Sequence, residues 1–201
     1  THTIEQSLKL NNPEFEWSCL VSTPLTESAP ALTKATLEML GFYASDLMTA
    51  LFEEILSTEK KHWFFNSHKN GIQVVSITIS LVNNDEIAAL NHQYRDKNKP
   101  TDVLSFPGVD AESIELLQVP EIDLGEIYIS LPWAAQETKQ SLDVSGCISS
   151  EYKLFVCDRI LHGLLHVLGK HHDTIEEYNW VRATQDKVLS SVFSLGSELK
   201  K

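Results

Sequence analysis

Cysteine is scarce in this chain. Cys19, Cys147 and Cys157 lie far apart and form no CxxC pair. So sparse and odd a set excludes a disulfide framework and fits a reducing compartment, and each thiol is read as a small apolar side chain. Long apolar runs are missing too: no 18-residue apolar stretch exists, which excludes a spanning helix. The first 15 residues scatter their charges and hold no apolar block, so no secretory signal is read there. Basic residues are few: 16 Lys and Arg against 28 Asp and Glu, a net charge of −12. A general nucleic-acid coat needs clustered cations and is excluded. Action on nucleic acid would need local positive charge, from a basic loop or a metal ion. The acidic surplus is otherwise read as solubility. The expectation is a cytoplasmic protein with no membrane partner.

What remains is ordinary globular material: 201 residues, 42% hydrophobic and 22% charged. One domain over 1–201 is expected, with a divergent N-terminal part at about 1–60. Residues 1–30 are polar and Pro-punctuated, with one apolar piece at Trp17–Val21 that suits an edge strand. Helical periodicity appears over Leu32–Leu40 and again over Asp46–Lys60, where Leu47, Leu51 and Ile55 form a stripe. Gly41 is read as the break between two helices and Ser45 as an N-cap. Residues 73–82 alternate as a half-buried strand, with Val75, Ile77, Ile79 and Leu81 on one face. Asn83 or Asn84 caps a helix carrying Ile87, Leu90 and Tyr94. A charged loop and a short apolar run, Val103–Phe106, come next. Residues 108–123 read as a surface loop, Leu124–Leu131 as a strand, 132–140 as a short helix behind Pro132, and 141–149 as a second loop. Glu151–Leu168 reads as the central helix, ended by Gly169. Thr174 and Glu177 open a last helix over roughly 175–193. The fold class is α+β: a small mixed sheet flanked by helices, with a central helix carrying an HxxxH pair.

That pair is His162 and His166 in His162-Gly-Leu-Leu-His166-Val-Leu-Gly169-Lys-His171-His172-Asp173. Residues four apart on a helix share a face, so the two rings can share a cation. Gly169 turns the chain so that a third imidazole can complete a facial site. Three neutral nitrogens and an open fourth position suit a water-activating Zn2+. The spacing matches the ligands of HExxHxxGxxH zinc proteases, selecting His172 and leaving His171 at the surface. The general-base Glu of those enzymes is here Gly163, which has no proton acceptor, so their peptide hydrolysis is not expected. Asp158 shares the stripe with both histidines. It is read as a solvent-exposed carboxylate beside Arg159, with a hydrogen bond to the outer nitrogen of His162 as the alternative.

HGLLHVLGKHHD resembles the HGxLHLxGYDH signature of the YbeY family of metal-dependent endoribonucleases. Two more stretches agree in order and spacing. Leu90-Asn91-His-Gln-Tyr94-Arg95 through Pro100-Thr101-Asp102-Val103-Leu104-Ser105-Phe106-Pro107 resembles the family's LN-x-x-YR and PTDVLSFP segment, and Leu124-Gly125-Glu126-Ile127-Tyr128-Ile129-Ser130 resembles its LGDIxIS strand. The resemblance covers roughly 72–192 and implies a three-His metal site in a cleft. By matching positions, His162, His166 and His172 are ligands of one Zn2+ per chain, and Arg95 is the catalytic arginine. Its guanidinium can grip phosphate oxygens in a bidentate fork. Lys97 and Lys99, with Arg95 and against Asp96, make the loop locally +2, a candidate for RNA contact. The resemblance implies a single-strand-specific endoribonuclease of ribosomal RNA processing, partnered by ribosomal RNA, a ribosomal subunit or a ribosome-associated protein. Attack on phosphorus would come from metal-activated water or from the RNA 2′-hydroxyl. A protease-like metallohydrolase and a non-enzymatic ribosome-assembly factor with a structural metal are the alternatives. Lys170 and His171 depart from the family's Tyr-Asp, and residues 20–60 hold an inserted helix or a partner surface.

Overall fold

In the computed structural model the described residues are 2–9, 16–23, 34–58, 74–110, 119–139 and 148–198. They build an α+β fold of five strands and five helices: β1 (His2–Lys9), β2 (Glu16–Thr23), α1 (Lys34–Thr58), β3 (Val74–Val82), α2 (Asn84–Arg95), β4 (Val103–Pro107), β5 (Glu121–Ser130), α3 (Leu131–Thr138), α4 (Ser150–Val167) and α5 (Ile175–Glu198). The sheet runs β1-β2-β3-β5-β4. Its two parallel pairs, β2/β3 and β3/β5, are flanked by antiparallel pairs at both edges, which makes it mixed.

The period-2 pattern of β3 works as expected. Val75, Ile77, Ile79 and Leu81 are buried, while Val74, Ser76, Thr78 and Ser80 are half-buried. In β5 the alternation changes phase. Ile122 and Leu124 are buried, and so are Ile127 and Ile129, which are separated from them by an odd step. The register against β3 slips at this point, from Ser76 opposite Asp123 to Thr78 opposite Glu126. The extra residue is a bulge, and it returns the apolar side chains to the inner face. Gly125 takes the strained conformation there, at φ +114°. A Cβ at Gly125 would overlap the Phe106 carbonyl oxygen outright, so only glycine fits.

Against the inner face lie α1, α4 and α5, whose buried residues join one core with β3 and β5. Leu47, Leu51 and Ile55 of α1 are fully buried, as their four-residue spacing predicts. A smaller cluster of Val82, Ile87 and Leu104, with Leu90, Phe106 and Tyr128 against it, sits under α2.

Four sequence expectations are corrected. Gly41 does not break a helix: it lies buried inside the single α1, where packing outweighs its cost of about 1 kcal/mol in a helix interior. Ser45 is therefore no cap; it is buried mid-helix and its carbonyl accepts the Thr49 hydroxyl at 3.0 Å. The Trp17–Val21 strand is real, but β1 pairs outside it, so β2 is not the edge. Residues 121–123 belong to β5 rather than to the preceding loop, because β3 gives them ladder partners. Cys157 is free and buried, as expected of an apolar thiol, and burial raises its pKa to about 12. Cys147 and most of the 141–149 loop lie outside the described residues.

Candidate metal centre

The centre grows out of α4. Ser149 caps its start, accepting the Tyr152 amide at 3.1 Å, and Tyr152 anchors that end by donating its hydroxyl to the Leu131 carbonyl at 2.9 Å. The middle of α4 rests on the sheet at Gly163. A Cβ there would stand 2.6 Å from Cγ2 of Ile127, so the helix approaches β5 closely because this residue lacks a side chain. The position that carries Glu in HExxH enzymes therefore faces β5, away from the ring cluster.

At the other end Gly169 adopts φ +78°, and Lys170 N–H bonds back to the Leu165 carbonyl at 2.8 Å. The chain doubles over and delivers His171 and His172. Helix α5 starts at once. The Thr174 hydroxyl accepts the Glu177 amide at 3.2 Å, and the Glu177 carboxylate accepts the Thr174 amide at 2.9 Å, the reciprocal capping box read from the sequence.

These elements bring His162, His166 and His172 together, with one candidate ligand atom from each inside a 4.8 Å group. Nε2 of His162 and Nε2 of His166 are 3.0 Å apart. Two nitrogens on one tetrahedral Zn2+ at about 2.0–2.1 Å would stand about 3.3 Å from each other, so the pair already has the spacing of shared ligands. The His172 ring lies 5.4 Å from that of His162 and 4.9 Å from that of His166. Burial lowers the pKa of His162. Burial, the neighbouring imidazoles and Arg95 bring His166 down to about 4. His166 is thus neutral near pH 7 and offers a lone pair, the state a cation requires. The residues fit a metal ion by donor type, spacing and protonation.

His171 is not in the group of three. Its Nδ1 lies 3.4 Å from Nδ1 of His166, on the outer side of that ring. Asp158 answers to neither sequence reading. It is half-buried, and among the described residues no hydrogen bond joins it to His162. Its carboxylate pairs with Arg159, through Nε at 3.1 Å and through Nη2, and accepts Nε2 of Gln185 at 3.2 Å. Arg159 also reaches Asp102 Oδ2 at 2.7 Å, tying the start of β4 to α4. The Asp102 pKa ends up lowered: burial would raise it, but the Arg159 guanidinium and hydrogen bonds from Thr101 and Val103 prevail.

Arg95, at the end of α2, is exposed and close enough to His166 to act on its charge. Lys97 and Lys99 are exposed in the loop behind it, and among the described residues no side-chain hydrogen bond ties them to the histidines. The loop is pinned from below. Asp96 caps α2 in the left-handed conformation, and buried Asn91 donates its Nδ2 to the Lys99 carbonyl at 2.8 Å. Tyr94 is also exposed, with one side against Phe106 at 4.7 Å between centroids. Three residues around the centre had escaped sequence reading: Gln185, Arg159 as a bridge, and Asn91. Of these, only Asn91 lies within a quoted motif.

The model of the family described as Endoribonuclease YbeY matches residues 42–192. Curated relatives named Endoribonuclease YbeY are similar to this chain over more than half of its length. That of Carboxydothermus hydrogenoformans is 36% identical over 116 residues, covering 58% of this chain and 71% of its own length. That of Clostridioides difficile is 34% identical, also over 58% and 71%. One from Prochlorococcus marinus is 35% identical over 60% of this chain and 62% of its own length. A solution structure of TM1509 from Thermotoga maritima overlays at a TM-score of 0.40 and 25% identity, over 77% of this chain and 86% of that one.

Proposed function

The chain belongs to the YbeY endoribonuclease family, and on that premise we propose that it is a zinc-dependent endoribonuclease that cleaves single-stranded RNA during ribosomal RNA maturation. In this reading His162, His166 and His172 hold one Zn2+ per chain. Arg95 is the catalytic group that grips the scissile phosphate, and Lys97 and Lys99 contact the RNA backbone. The convergence of three imidazoles beside an exposed arginine carries the reading.

When bound, such a cation supplies a Lewis acid that polarises a phosphoryl oxygen and makes water acidic near neutral pH. The protein's own groups do the rest. Three neutral ligands leave the cation's full charge available. Arg95 presents a planar fork of donors that fits two phosphate oxygens and steadies charge building on phosphorus. The open side of the cluster, where His172 is exposed, leaves room for substrate. Gly163 brings no base, so the attacking oxygen is water or the RNA 2′-hydroxyl. The net charge of −12, with cations gathered behind α2, gives weak general attraction to RNA. That balance favours a ribosomal subunit or a ribosome-associated protein as the platform that delivers substrate.

The test is cleavage of single-stranded RNA by purified protein. Chelation should abolish it and Zn2+ should restore it. His162→Ala should lose both metal and cleavage. Arg95→Ala should keep its metal while kcat falls about 10²–10³-fold, the loss typical of one charge-stabilising donor. Cleavage that survives exhaustive chelation, or that persists in His162→Ala, would overturn the proposal. An RNA carrying a single 2′-deoxy at the cut site decides the attacking group: it stays intact if the 2′-hydroxyl attacks.

A further inference from the structure

Gln185 stands on α5, 13 residues beyond His172 and outside every motif described above, yet its side chain sits against the centre. It is 1% exposed. Its Oε1 lies 3.4 Å from Nδ1 of His162, the ring nitrogen turned away from His166. Its Nε2 donates toward the Asp158 carbonyl at 3.4 Å and toward Asp158 Oδ1 at 3.2 Å. The other carboxylate oxygen, Oδ2, is occupied by Arg159, whose Nη1 is anchored on Asp102.

We infer that Gln185 is a positioning residue of the metal centre, oriented by Asp158 so that His162 keeps its proton on Nδ1 and its lone pair on Nε2. The inference rests on the proposed metal site. Around the amide nitrogen stand a carbonyl and a carboxylate, which can only accept. A flipped amide would aim its oxygen at both of them, so the NH2 group stays on the Asp158 side. The oxygen then faces His162, and an oxygen there can only accept the Nδ1–H. That selects one of two tautomers, the one whose Nε2 is free to ligate, and it holds the ring plane. Asp102, Arg159, Asp158 and Gln185 thus form a chain of polar contacts from β4 to one ligand of the metal.

The experiment uses the full chain with Zn2+ and Co2+ as probes. Zn2+ affinity is read by competition with a chromophoric chelator. The Co2+ ligand-field spectrum reports coordination geometry, and the tautomer of His162 is read in metal-free protein from two-bond 1H–15N correlations. Wild type should show the Nδ1–H form. Gln185→Met, similar in size but without an acceptor, should bind Zn2+ about 10–100-fold more weakly, the usual loss on removing such a partner, and should show mixed tautomers. Gln185→Glu keeps an acceptor for Nδ1–H but turns its other oxygen toward the Asp158 carbonyl and carboxylate, so it should retain the Nδ1–H tautomer while recovering only part of the affinity. Asp158→Asn can donate as well as accept, so it should release the amide and weaken binding with Gln185 intact. Should Gln185→Met not fold, Asp158→Asn and the tautomer decide alone. Wild-type affinity, spectrum and tautomer in Gln185→Met, or in Asp158→Asn if only that variant folds, would overturn the inference and leave the metal site standing. A wild type that binds no Zn2+ would sink the proposed function and this inference together.

Discussion

Gly163→Ala tests the contact on which the helix carrying His162 and His166 rests. An added Cβ would stand 2.6 Å from Ile127 Cγ2 and 3.1 Å from both Cγ1 and Cδ1. Carbon atoms prefer about 3.5–4.0 Å, so the overlap is roughly 1 Å. Ile127 is fully buried, and Cγ2 hangs on the branched carbon next to the strand backbone, so no rotation of a flexible tip relieves the clash. Overpacking of this kind costs about 1–3 kcal/mol. Alanine returns about 1 kcal/mol of helix propensity. The net expectation is a loss of about 0–2 kcal/mol, or a drop in Tm of up to about 8 °C for a chain of this size. Ile127→Ala removes all three obstructing atoms and alone should cost about 2–5 kcal/mol. In that background Gly163→Ala should become neutral or stabilising, because the new methyl fills part of the void. A double-mutant cycle by urea denaturation should give a coupling of about 2 kcal/mol. The single variant should also bind Zn2+ more weakly, since His162 and His166 ride on the displaced helix. A Gly163→Ala protein more stable than wild type, with effects additive to Ile127→Ala, would refute the argument.

Gly125→Ala meets a stricter obstacle, backbone on backbone at a positive φ, so a loss of about 4 kcal/mol or more is expected; an unchanged denaturation midpoint would contradict the bulge geometry. Saturating Zn2+ at a hundred times its Kd should raise stability by about 2.7 kcal/mol, and His172→Ala should lose most of that gain in a thermal melt. The stability of chelated protein should fall with pH in a defined window. His166 has its pKa near 4 when folded against 6.5 ordinarily, so between those values the unfolded chain takes up a proton that the folded chain refuses. Stability is therefore lost as pH falls from about 6.5 and levels off near 4, by an amount on the order of 1–3 kcal/mol, and His166→Gln should flatten that part of the profile.

The histidine cluster was legible in the sequence because its logic is local. A four-residue step places two rings on one helical face, and Gly169 supplies the left-handed turn that returns the third. The half-buried strand β3, the cap at Asn83 and the Thr174–Glu177 box are equally local, and the structure bears them out. Gly41 misled because its helix-breaking tendency is a weak prior that burial in α1 overrides. His2–Lys9 has only Ile4 and Leu8 as strand-forming apolar residues, and its strand exists through pairing with β2. The links from Asp102 to Arg159 and from Asp158 to Gln185 span 57 and 27 residues. No periodicity reports such pairs. Asp158 departs from the sequence expectation for that reason: besides Arg159 on its own helix, its partner is Gln185 from α5.

The bulge at Gly125 has a consequence for how this strand tolerates change. It absorbs one surplus residue between two inward-facing stretches, so β5 should tolerate a deletion at the bulge better than elsewhere along its length. Deleting Gly125 would leave Ile122, Leu124, Ile127 and Ile129 in regular alternation on the inner face, whereas deleting Tyr128 would turn Ile129 outward. Ile127 is the side chain on which Gly163 rests, so a shift of register on the sheet would unseat the helix that carries His162 and His166. Away from the bulge, insertions and deletions in β5 should survive only in pairs.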